Sequence, residues 1–166
     1  MNKLIHKAAL AAAFLVASAG ASAADTAVAN STVNFINFEK MTDVERFAAD
    51  RENVQYQLRE HIKNLSEKLP AGQELKIDFL DIDLAGDVFP RVAIQNVRVM
   101  KGRADWPRLH FRYSVEQGGQ VVKSGESKLS DPNYLLHRGN RYSNEIYSYE
   151  KQMLEDWFRQ EIVAAR

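Results

Sequence analysis

The chain has 166 residues, 22 basic and 22 acidic, and no cysteine. The length suits one domain around one core, and the balanced, interleaved charge argues against a nucleic-acid binder or an electrostatic membrane anchor. The missing thiols exclude thiol catalysis, thiolate zinc sites, disulfide staples and lipid attachment through an N-terminal cysteine.

Residues 1–23 read as a secretory signal peptide. Lys3 and Lys7 precede an apolar run from Ala8 to Ala19, and Ala21-Ser22-Ala23 supplies the small-x-small cleavage site. The run is too short to span a bilayer. Cleavage after Ala23 would leave 20 basic against 22 acidic residues, a net charge near −2. The expected product is a periplasmic protein with no membrane insertion. Residues 24–31 read as a disordered leader, and 32–166 as a single domain.

Val33–Phe38 alternates as a first strand. Thr42-Asp43-Val44-Glu45 has capping-box spacing, so a helix is expected to start there. Val54, Leu58, Ile62, Leu65 and Leu69 then trace one apolar helical stripe, ended by Pro70 and Gly72. Four strands follow: Glu74–Leu84, Arg91–Met100, Arg108–Gln117 and Gln120–Leu129. Gly118-Gly119 joins the last two as a primed two-residue turn. A loop-rich stretch, Asp131–Asn144, carries His137, Arg138 and Arg141. The final helix is expected from Asn144 to Val163, with Ile146, Tyr149, Met153, Leu154, Trp157 and Phe158 on its apolar face. The fold class is α+β: a β-α-β-β-β-β-α two-layer sandwich, both helices packed on one face of an antiparallel or mixed sheet.

The segment Leu75–Asp87 carries the chemical accent. Leu75, Ile77 and Phe79 share one parity while Leu80, Ile82 and Leu84 share the other, so an apolar face is continuous only if a bulge falls at Phe79-Leu80. Asp78, Asp81 and Asp83 would then project together from the outer face. Three carboxylates suit a hard divalent cation. A calcium loop fails, because Ala85 stands at position five and Val92 at position twelve. The competing reading is a lattice of carboxylates, Glu126 among them, against Arg108 and Arg112 of the neighbouring hairpin, with His110 on the same outward face. It needs a second bulge, placed at Ser124-Gly125, to turn Glu126 outward. A third reading has Asp81 and Asp83 fixing the turn at Leu84-Ala85-Gly86 through backbone N–H groups.

His61, His110 and His137 have no common metal spacing, and His61 reads as solvated. Tyr142, Tyr147, Tyr149, Trp157 and Phe158 read as helix–sheet contact rather than a groove, and Arg138-Gly139-Asn140-Arg141 as a solvated loop. No nucleophile elbow, phosphate loop or dinucleotide fingerprint occurs.

D-I-D-L-A-G (Asp81–Gly86), G-E-x-x-L-S-D (Gly125–Asp131) with Tyr134, and Y-E-K-x-M-L-x-x-W-F (Tyr149–Phe158) resemble a bacterial family of exported proteins, domain of unknown function 3016. The resemblance spans about Val33 to Phe158. It implies a proteobacterial periplasmic location and a single domain, and carries over no established activity, cofactor or catalytic residue. The order of elements is also similar to that of small envelope adaptors of lipopolysaccharide assembly and transport. The expectation is therefore a non-catalytic binding or accessory module with an envelope protein as partner, using its sheet face or a free edge strand. The alternative is a divalent-cation site, possibly hydrolytic, on the acidic strand.

Overall fold

The computed structural model describes residues 30–88, 98–137 and 139–164. The expected signal peptide, most of the expected leader, most of the strand expected at Arg91–Met100, and Arg138 lie outside the described residues. The elements are β1 (Asn30–Phe35), α1 (Ala48–Ser66), β2 (Gln73–Asp83), β3 (Asp87–Val88), β4 (Arg98–Val99), β5 (Arg108–Gln117), β6 (Gln120–Ser130) and α2 (Ser148–Trp157). The last helix continues through Phe158–Val163 with wider π-type turns. The fold is α+β, as expected.

The main sheet runs β1-β2-β5-β6. β1 lies parallel to β2, which α1 makes possible as the crossover, and the other pairs are antiparallel. β1 begins at Asn30, inside the segment read as leader. The described part of the strand expected at Arg91–Met100 does not join this sheet: Arg98 and Val99 pair instead with Asp87 and Val88 in a separate ribbon. Among the described residues, no helix is long and apolar enough to cross a membrane.

The bulge in β2 is present, with the pairing to β5 stepping from Phe79 to Asp81 across Leu80. It keeps Leu75, Ile77, Phe79 and Ile82 on the buried face. There they meet Val54, Leu58, Ile62 and Leu65 of α1 and Leu154, Trp157 and Phe158 of the last helix. Trp157 stands edge-on to both Phe111 and Tyr113, at 4.8 and 5.0 Å between ring centres. Burying each large apolar side chain contributes about 1.5–3 kcal/mol, so this core between the sheet and the two helices carries the fold without disulfides.

Gly118 and Gly119 have φ of 57° and 77°, as a primed hairpin turn requires. The second bulge lies beside that turn, where the pairing shifts between Val115 and Glu116, and not at Ser124-Gly125. Gly125 has another duty. A Cβ there would come within 2.8 Å of the Tyr113 hydroxyl, so the glycine makes room for the phenol. Either bulge reverses the parity, and Glu126 faces outward opposite Arg112.

Three other expectations are corrected. The capping box at Thr42 does not form, because Asp81 takes both the Thr42 N–H and its hydroxyl, at 2.7 and 2.8 Å. The helix starts at Ala48 instead. The last helix starts at Ser148, after Tyr147 turns into the left-handed region, which leaves Ile146 half exposed rather than on the apolar face. His61 is buried, with Tyr142 packed edge-on against its ring at 4.9 Å.

Candidate binding cleft

Beyond Asp83 the chain leaves the main sheet through Leu84-Ala85-Gly86. Gly86 has φ of 76°, and a Cβ on it would meet the Met100 sulfur at 2.7 Å and the Val99 carbonyl oxygen at 2.9 Å. Only glycine lets β4 come this close. The approach carries Arg98 under the turn.

The Arg98 side chain is 8% exposed. Its Nε donates to the Ala85 carbonyl at 2.8 Å, and Nη2 donates to the Gly86 carbonyl at 2.7 Å and the Leu84 carbonyl at 3.3 Å. Nη2 also pairs with the Asp43 carboxylate, and Nη1 lies 3.2 Å from Glu45 Oε1. Burial opposes the guanidinium charge, but the hydrogen bonds and charges of Asp43 and Glu45 outweigh it and raise its pKa.

The turn is gripped from the other side by Glu150, whose Oε1 accepts the Ala85 N–H at 2.6 Å. Glu150 is 1% exposed, and burial raises its pKa against the opposing pull of that N–H. The Leu84 N–H goes to the Asp43 carbonyl and the Gly86 N–H to the Asp105 carbonyl. The turn is thus fixed by Asp43, Glu150, Asp105 and Arg98, and not by Asp81 and Asp83.

Above this floor lies a cleft of about 250 Å³, walled by Met100, Ile146, Tyr147 and Tyr149, with Glu45 and Glu150 at its base. Two lining residues, Glu45 and Tyr147, hold positive φ of 80° and 55°. Such strain in non-glycine residues collects at binding sites. Burial pushes the Tyr147 hydroxyl well above the ordinary phenol range. Tyr149 is braced edge-on by Tyr134 at 4.7 Å, and the Tyr134 hydroxyl donates to Asp105 at 2.7 Å. The aromatic set is therefore divided: Trp157 and Phe158 belong to the core, Tyr147 and Tyr149 to the cleft.

A second cleft, of about 300 Å³, opens between the helices around His61. Lys151 donates to Gln57 and Glu145, and Glu155 accepts from Lys68 and the Tyr142 hydroxyl. Burial, with the Lys151 charge beside it, lowers the His61 pKa to about 4.

The residues singled out on the acidic strand share the outer sheet face but do not converge. Asp78 accepts from Asn34 Nδ2 at 2.9 Å and lies 3.8 Å from Arg112. Asp81 holds Thr42, and Asp83 accepts from Arg108 Nε at 2.7 Å. His110 pairs with Glu126 at 2.7 Å. Among the described residues, no group of three or more His, Asp or Glu is arranged to hold a metal ion. Arg141, in the loop, pairs with Asp156.

Sequence reasoning missed Arg98, Asp43 and Glu45, which strand parity and helical spacing do not connect. Glu150 was open to discovery. It stands three, four and seven residues before Met153, Leu154 and Trp157, on the buried stripe of α2.

The segments Asp81–Gly86 and Tyr149–Phe158 meet at the cleft through the Ala85–Glu150 bond. No curated protein and no solved structure matches the chain. A family model described as "Protein of unknown function (DUF3016)" matches residues 29–160, most of the chain, and the protein belongs to that family.

Proposed function

We propose that the protein is an exported, non-catalytic binding or accessory module of the bacterial envelope, and that its cleft receives an apolar segment of a partner envelope protein. One observation carries the reading: the charged groups of the cleft floor already hold the protein's own backbone. Arg98 holds three carbonyls and the Asp43 carboxylate, with Glu45 in ion-pair range of Nη1, and Glu150 holds the Ala85 N–H. The floor is a scaffold, and the half-exposed Ile146 with Met100 forms an apolar mouth above it. The signal-peptide pattern of residues 1–23 supports export. A divalent cation on the acidic strand would have to displace Thr42 from Asp81 and Arg108 from Asp83, and no observation favours that exchange.

The test is in-cell photocrosslinking with the reactive residue at Ile146 or at Arg112, after fractionation and N-terminal sequencing. The reading expects a periplasmic protein beginning at Ala24 and a discrete adduct with an envelope protein from Ile146 alone. A cytoplasmic protein would sink the export claim, and an adduct from Arg112 alone would move the binding surface to the sheet face.

A further inference from the structure

β6 is an edge of the main sheet, with no strand beyond it among the described residues. Free edges of this length invite pairing with another chain, and proteins commonly guard them with charges. The charges on this edge are not arranged as a simple guard. Counted outward from Ser127, Glu126 and Lys128 lie one residue to either side, and Lys123 and Asp131 four residues to either side. Each acidic residue is mirrored by a basic one.

We propose that β6 pairs antiparallel with β6 of a second copy of this chain, about a two-fold axis through Ser127, joining two four-stranded sheets into one. In antiparallel pairing, opposed residues share a face. Glu126 then meets Lys128 twice on the outer face. On the inner face Leu129 lies across from Gly125, beside the Tyr113 ring that this glycine admits. An axis at Glu126 or at Lys128 would set a like charge against itself, so the register is selected by charge.

The existing contacts fit this arrangement. On the outer face Lys76, Arg108 and Arg112 each have a carboxylate partner, whereas Lys128 has none among the described residues. Glu126 uses Oε1 for His110, leaving its second oxygen for a partner's lysine. Lys123 and Asp131 are already engaged, with the Glu161 carbonyl and with His137, so the Glu126–Lys128 pairs set the register.

The chain has no cysteine of its own, which makes a sharp experiment possible. On the axis, the two Ser127 Cα atoms would stand roughly 4.5–5.5 Å apart, within disulfide reach. The two Ser124 residues would stand about 20 Å apart. Ser127→Cys and Ser124→Cys are oxidised in parallel, and sedimentation is followed against concentration for the unmodified chain. The proposal expects a concentration-dependent dimer and a reducible covalent dimer from Ser127→Cys only. Lys128→Glu should weaken association by about tenfold, and Glu126→Lys with Lys128→Glu should restore it. A chain that remains monomeric at high concentration overturns the proposal, as does equal crosslinking at both positions. Association untouched by Lys128→Glu also overturns it. The Ser127 hydroxyl oxygen accepts from Trp157 Nε1 at 3.0 Å, and should Ser127→Cys disturb that bond and the fold, the sedimentation arm decides the matter.

Discussion

Two regions of this molecule use the same chemistry to opposite ends. On the outer sheet face, Asp78, Asp83, Arg108 and Arg112 form carboxylate–guanidinium pairs in water, with Arg108 and Arg112 both more than half exposed. Under the Leu84-Ala85-Gly86 turn, Asp43, Glu45 and Arg98 form the same kind of pair, with the Arg98 side chain 8% exposed. Exposed pairs gain little over hydration, whereas a buried charge that loses its partners has no water to replace them. Burial, and not the number of pairs, decides which region shapes the protein.

The largest expected effect comes from Arg98→Met. It strands Asp43, Glu45 and three carbonyls, and urea unfolding should show a loss of about 3–5 kcal/mol. A loss below 1 kcal/mol would place the floor in the same category as the sheet face.

Next comes acid. His61 is neutral in the folded state, with its pKa lowered from 6.5 to about 4, so the unfolded chain takes up the proton first. The stability at stake is fully present above pH 6.5 and is lost as pH falls toward 4, to a total of about 3 kcal/mol. The surrounding titratable groups are Lys151, Glu145, Glu155, Glu60, Tyr56, Tyr142 and Lys68. Glu155, with its lowered pKa, contributes in the same direction, and Glu150, with its raised pKa, in the opposite one. The His61 share is therefore read as a difference: His61→Leu should flatten the stability–pH curve between 4 and 6.5. An unchanged slope would remove His61 from the account.

Glu150 separates hydrogen bonding from charge. Glu150→Ala leaves the buried Ala85 N–H without an acceptor and should cost about 1–3 kcal/mol, whereas Glu150→Gln keeps an oxygen there and should cost less than about 1. Equal losses would show that the carboxyl itself matters. The smallest effect belongs to the sheet face, where Arg112→Ala should change unfolding by about 0–1 kcal/mol.

The same division explains what the sequence could reveal. The β2 bulge, the Gly-Gly hairpin and the outward set of Asp78, Asp83, Arg108 and Arg112 all follow from parity within one or two neighbouring strands. The cleft floor joins residues 43, 45, 85, 98 and 150, and only tertiary folding brings them together. Thr42-Asp43-Val44-Glu45 shows the difficulty. Its spacing fits a capping box, yet the distant carboxylate of Asp81 and guanidinium of Arg98 offer its side chains stronger partners. His61 is buried and not solvated for a related reason, since Tyr142, far along the chain, covers it. Glu150 is the exception, because its place on an apolar stripe was visible in the spacing.

The most direct test compares two backbone N–H groups, each bound to a carboxylate: Ala85 on buried Glu150, and Thr42 on Asp81 at the surface. Native-state hydrogen exchange reads both in one experiment on the unaltered protein. The account predicts that the Ala85 amide exchanges only through global unfolding, while the Thr42 amide exchanges through local opening and far faster. Comparable rates at the two sites would contradict it, because the floor of the cleft would then be no more rigid than the exposed sheet face.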